Sequence, residues 1–78
     1  MNWQHYIHSD SEVLLGKPVI KGTRLSVDFI LSLFAQGWSA EKILDNYPRL
    51  TSETLQAVFG FAAECMAQEA MYSLKKAS

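Results

Sequence analysis

Cysteine is nearly absent from this chain: Cys65 is the only one in 78 residues, so no intrachain disulfide and no cysteine-based metal cluster can form. Proline occurs twice, at Pro18 and Pro48, and nothing after Pro48 interrupts a helix by that route. No charge sign dominates, since seven basic residues face eight acidic ones for a net charge of -1. A free-standing nucleic-acid binder draws much of its affinity from a basic excess, which is missing here. A long apolar run is missing too, as is a leader-like segment. With the cysteine usage, these gaps lead to the expectation of a cytoplasmic protein with no membrane partner.

What is present is a globular composition richer in apolar residues than usual, at 49%. Seventy-eight residues make a single domain, 1–78, and a chain this short buries only roughly 60% of its unfolded surface. The apolar surplus therefore suggests surface covered by a partner, as in a homo-oligomer.

The punctuated stretch Gly16-Lys17-Pro18-Val19-Ile20-Lys21-Gly22-Thr23-Arg24 stands out. Its glycines and proline mark tight turns, and Val19-Ile20 reads as a strand fragment. Tyr6-Ile7-His8 is a candidate partner strand, against either Val19-Ile20 or Thr23-Arg24-Leu25, and Ser9 to Glu12 reads as a polar turn. Upstream, Trp3 and His5 alternate with Tyr6 and His8 as they would on two faces of an extended segment. Residues 1–25 thus form a β-arm.

Three helices follow. Ser26 caps the first, with Asp28 in its first turn, and Gly37 stops it, giving a helix over 27–36. Ser39 caps a second over 40–46, closed by Pro48. Thr51 opens the third, with Leu55, Val58, Phe59, Ala62, Met66 and Ala70 as its core stripe. That helix is expected over 52–74, about 34 Å at 1.5 Å per residue, which would overhang so small a domain. Residues 26–74 then form a three-helix bundle and 75–78 a tail.

Taken in order, Gly16 to Arg24, the helix over 27–36, the turn Gly37 to Ser39, Tyr47-Pro48 and Leu50-Thr51 resemble small bacterial domains catalogued as a domain of unknown function, number 433. Members are often described as VapB-like antitoxins. The resemblance spans roughly residues 12 to 65. It implies a mainly α fold, a short β-arm before a homeodomain-like, helix-turn-helix-like bundle, and a role in toxin–antitoxin operons beside a PIN-like nuclease.

The residues weigh on that role. Motif positions Gly16, Pro18, Gly22, Thr23 and Arg24 suit turn and arm geometry, with Gly22 expected at positive φ. Arg24 is a candidate to pair with Asp28 or another carboxylate and fix the arm. Lys17, Lys21, Arg24 and Arg49 are the candidate phosphate contacts. From Leu50 to Leu74 there is no lysine or arginine, so only Thr51, Ser52, Thr54 and Gln56 are left to read bases. Duplex DNA is accordingly expected to bind poorly, and a DNA-binding regulator of its own operon is the alternative function.

A second strip on the last helix, Ala57, Phe61, Cys65, Gln68 and Tyr72, nominates its last four members as a protein interface. Met71 to Ser78, with Lys75 and Lys76, is a candidate to cover a nuclease site. No spacing of a nucleophile, acid–base pair or phosphate loop points to catalysis, and Cys65 inside a helix is expected to be a packed thiol. His5 and His8 lack a third ligand, so no metal and no cofactor are expected. The expected function is a non-catalytic, antitoxin-like module that dimerises through its last helix and restrains a PIN-like nuclease.

Overall fold

In a computed structural model, the backbone is described for residues 2–77 and the side chains for residues 2–68. The chain is mainly helical, with two short strands ahead of three helices. The alternation at the N-terminus does not produce an extended segment. Trp3–His5 instead makes one 3-10 turn, and strand β1 begins only at Ile7 (Ile7–His8). The turn lays the Trp3 ring edge-on against Phe61, with centroids 4.8 Å apart, a contact an extended segment would not direct there.

β1 pairs antiparallel with β2 (Val19–Ile20), with Ile7 opposite Ile20 and His8 opposite Val19. The other edge of β2 is used as well. Ile20 N–H donates to the Leu25 carbonyl at 2.9 Å, and Val27 N–H donates to the Pro18 carbonyl at 2.9 Å. The arm is therefore tied to the start of the first helix rather than hanging from it.

Helix α1 (Val27–Ala35) starts where Ser26 Oγ accepts the Phe29 amide, and its end is a two-bond Schellman closure. Gly37 N–H donates to the Phe34 carbonyl and Trp38 N–H to the Leu33 carbonyl, with Gly37 at φ +95°. Helix α2 (Ala40–Asn46) is capped by Ser39, whose Oγ accepts the Lys42 amide. Helix α3 runs Ser52–Ala77, past the expected end at 74, because Lys75-Lys76-Ala77 are good helix formers and supply no stop. The separate tail at 75–78 is thereby reduced to its last residue, which lies outside the described residues.

The core joins both layers. Ile7, Val19 and Ile20 from the arm bury with Val27, Ile30 and Leu33 of α1, Ile43 of α2, Leu50, and Leu55, Ala57 and Val58 of α3. Each fully buried aliphatic side chain contributes roughly 1.5–3 kcal/mol relative to exposure. All α3 members of that set lie in its first two turns. The radius of gyration is 13.8 Å, against about 11.5 Å for a compact chain of this length. At 1.5 Å per residue α3 is roughly 39 Å long, so the extra dimension comes from the helix outrunning its support.

Candidate protein-interaction site

The arm is built by local hydrogen bonds. Gly22 takes φ +79°, as its place in the Lys21-Gly22 turn requires. Thr23 Oγ1 donates to the Ile20 carbonyl at 2.8 Å and accepts the Leu25 amide at 3.0 Å, so one hydroxyl closes the turn from both sides. Gly16 (φ +82°) ends a run in which Leu14 (φ +50°) and Leu15 (φ +58°) are also left-handed. The sequence holds no signal for that run, because leucine has no preference for the left-handed region. Its consequence is a leucine pushed into solvent: Leu15 is 96% exposed.

The basic residues divide between two concave faces. Lys17 Nζ lies 3.3 Å from Asp28 Oδ2, so the pairing expected of Arg24 is made by Lys17 instead. The physical reason is the backbone: the Pro18–Val27 hydrogen bond draws the residues flanking it together, and Lys17 and Asp28 are those flanking residues. Ser26 Oγ also hydrogen-bonds Asp28, and with the Lys17 charge it holds the Asp28 carboxyl below its ordinary value against a smaller opposing effect of burial. Arg24 makes no hydrogen bond or ion pair to another of the described residues. Arg49 Nη1 donates to the Gly22 carbonyl at 2.9 Å. Arg24 and Arg49 share the wall of one cavity of about 380 Å³, while Lys17 lines a different one. The four proposed phosphate contacts, Lys21 included as an exposed side chain of the turn, are thus not assembled into one basic patch around Lys17.

The Lys17 side is an apolar groove of about 340 Å³ between α1 and α3. Leu31 of α1 and Phe61, Ala62, Cys65 and Met66 of α3 line it, with the Lys17–Asp28 pair at its edge. Of the nominated interface residues, Phe61 and Cys65 both face this groove. Phe61 is half-buried because Trp3 packs on it, whereas Cys65 and Gln68 are exposed. The Cys65 thiol is therefore not packed, contrary to expectation. Tyr72, like Ala70 and the Met71–Ser78 segment, lies outside the described side chains.

The expected core stripe of α3 needs correction. Leu55 and Val58 are buried, but Phe59 is 46% and Met66 69% exposed, while Ala57, assigned to the other strip, is fully buried. Helical spacing identifies the faces but not which one the arm will claim. The Trp3–His5 turn packs on α3 from the side of Phe61, and α1 and α2 close over the first turns, which rotates the core face toward Ala57. Phe59 is left leaning on Phe34 at 4.9 Å between rings.

The N-terminus of α3 is sealed rather than offered to a ligand. Thr51 Oγ1 accepts the Thr54 amide at 3.2 Å, and Thr54 Oγ1 accepts the Thr51 amide at 3.4 Å, a reciprocal cap in which threonine takes the usual glutamate position. Thr54 is buried and cannot reach a base; Ser52 and Gln56 are exposed. Among the described residues no group of three potential metal ligands comes together, and no helix is long and apolar enough to cross a membrane. His5 Nε2 contacts Asn2 Nδ2 at 3.2 Å, and Glu64 accepts the Trp3 indole N–H.

Comparison with known proteins places this arrangement. A family model described as "Protein of unknown function (DUF433)" matches residues 7–62, from β1 to Ala62 of α3 and short of Cys65 and Met66. The crystal structure of a DUF433 member protein from Anabaena variabilis superposes with a TM-score of 0.77 at 31% sequence identity. The match covers 83% of this chain but 64% of the Anabaena protein, so the chain spans less than two thirds of that protein's length. No curated protein matches the sequence. The chain belongs to the DUF433 family.

Proposed function

From that membership and the α1–α3 groove, we propose that the chain is a non-catalytic, antitoxin-like interaction module that self-associates through the groove and restrains a PIN-like nuclease. The observation carrying this reading is the position of the groove on α3 where the described side chains after Ala62 are all exposed. Cys65 and Met66 are exposed, Phe61 and Leu31 form an apolar floor, and among the described residues the charges at the edge are Lys17 and Asp28, which neutralise each other. Such a surface favours an apolar occupant, and the far turns of α3 on a second copy carry more apolar residues of the same kind. The nuclease partner is what the antitoxin resemblance implies. A DNA-reading role is disfavoured by the sealed start of α3, where Thr54 is buried in the cap.

The test is solution mass by light scattering at tens of micromolar. Wild type should be a dimer and Met66→Glu a monomer with an unchanged circular dichroism spectrum, since Met66 contributes little to the fold of one chain. A monomeric wild type removes self-association from the proposal. Phe61→Asp is the poorer probe, because it also breaks the Trp3 contact. The nuclease half is tested by the genes on either side: a small carboxylate-rich nuclease frame next door supports it, and a lone gene counts against it.

A further inference from the structure

The arginine-lined face differs in kind from the groove. Arg24 and Leu25 line both the cavity holding Arg49 and a second one, of about 270 Å³, formed with Leu14 and Phe29. The two cavities adjoin, and the Phe29 and Tyr47 rings, one in the wall of each, meet edge-to-face at 5.9 Å. Among the described residues no acidic side chain lines either cavity. We propose that this face docks an acidic segment of a partner protein, its carboxylate held by Arg24 and Arg49 and a neighbouring apolar side chain seated between Leu14, Leu25 and Phe29.

Charge complementarity selects this occupant. An arginine fork matches a carboxylate with two parallel hydrogen bonds, and two such forks in one cavity specify an anion. Arg49 is pre-set for this, because its Nη1 bond to the Gly22 carbonyl holds the guanidinium while its remaining N–H groups stay available. Beside the arginines, Leu14 is 42% and Phe29 37% exposed, and Leu15 projects nearby from its left-handed turn. Exposed apolar groups next to guanidiniums that meet no carboxylate among the described residues suit a ligand with both characters.

A nucleic-acid backbone fits less well. Tracking phosphates takes a row of cations, but Lys17 lies on the groove side beside Asp28, Lys21 lines neither cavity, and Lys42 sits over the Trp38 ring at 4.2 Å. The net charge of -1 supplies no long-range attraction for a polyanion. This inference does not depend on the groove, and it survives if self-association fails.

The experiment selects random twelve-residue peptides displayed on phage against the immobilised full chain, with counter-selection on an Arg24→Gln, Arg49→Gln double variant. Enrichment of Asp or Glu beside Leu, Ile or Phe is expected. By fluorescence anisotropy, an enriched peptide should bind Arg24→Gln at least about tenfold more weakly, as loss of a charge-assisted bond implies. Leu14→Ser should weaken it less, and exchanging the peptide's carboxylate for its amide should abolish binding. Arg24→Gln is the cleaner variant, since Arg49 also braces the turn, and its melting curve should match wild type. No acidic enrichment, or binding indifferent to Arg24, overturns the proposal. A labelled 20-base-pair duplex that binds and is lost with Arg24→Gln reassigns the face to nucleic acid, and a drop in the solution mass of Arg24→Gln reassigns it to a second copy.

Discussion

The two halves of α3 are one continuous helix of similar composition, yet they lead different lives. In the first, Leu55, Ala57 and Val58 are buried beneath the arm and the two short helices, and the Thr51–Thr54 cap satisfies the opening amides. In the second, from Ala63 to Gln68, every described side chain is exposed, and its named tertiary tie is Glu64 to the Trp3 indole. Tertiary burial supports the first stretch, whereas none of the described side chains of the second is buried. The first turns of α3 thus serve the fold, while Ala63 to Gln68 lie on it without being buried.

The largest effect that sharpens this contrast comes from its two ends. Leu55→Ala should destabilise the chain by about 2–5 kcal/mol in urea unfolding. Met66→Ala, measured at sub-micromolar concentration, should stay within about 0.5 kcal/mol, as for a surface position. Equal losses at both sites would erase the distinction.

Trp3 is where the halves meet, since it packs on Phe61 and donates to Glu64. Trp3→Ala should cost on the order of 2 kcal/mol, from lost apolar burial and the edge-to-face contact. A neutral outcome would mean that the N-terminal turn rests on α3 without supporting it.

Thr51→Ala should cost about 1 kcal/mol, because the Thr54 amide loses its acceptor at the sealed end of α3. Thermal melting reads this, with Gln56→Ala on the same turn as the near-neutral control.

The smallest effect is electrostatic. Hydrogen bonding from Ser26, with help from Lys17, lowers the folded-state pKa of Asp28 below its ordinary 3.8. A depressed carboxylate pKa contributes stability that is present above the unfolded value and is lost as pH falls through the folded one. The contribution should therefore be constant near neutrality and disappear below about pH 4, and Asp28→Asn should flatten that limb of the stability profile. Because Lys17 and Asp28 are both more than half exposed, the change should be small and shrink in high salt.

Much of the fold is legible in the chain itself. Ser26, Ser39 and Thr51 announce three helix starts, Gly37 and Pro48 two ends, and Val19-Ile20 a strand, because capping and turn chemistry act over a few residues. The arm pairing was readable to within two alternatives, and the Ile7–Ile20 register chose between them. The candidate site was legible only in part. Phe61 and Cys65 could be nominated from helical spacing, but nothing local tells that Trp3 covers the first and leaves the second exposed.

The remaining decisions belong to the tertiary structure because they depend on residues far apart in sequence. Which carboxylate partner the arm took was settled when the Pro18–Val27 bond set Lys17 beside Asp28, leaving Arg24 to share a cavity with Arg49, 25 positions along the chain. Which strip of α3 became core was settled by packing between elements: Ala57 joined the shared core, the Trp3–His5 turn docked beside Phe61, and Phe59 and Met66 stayed exposed. Periodicity and caps determined where the helices are, since those forces are short-ranged. Which faces they bury, and which charges stay unpaired, came from packing that no local pattern encodes.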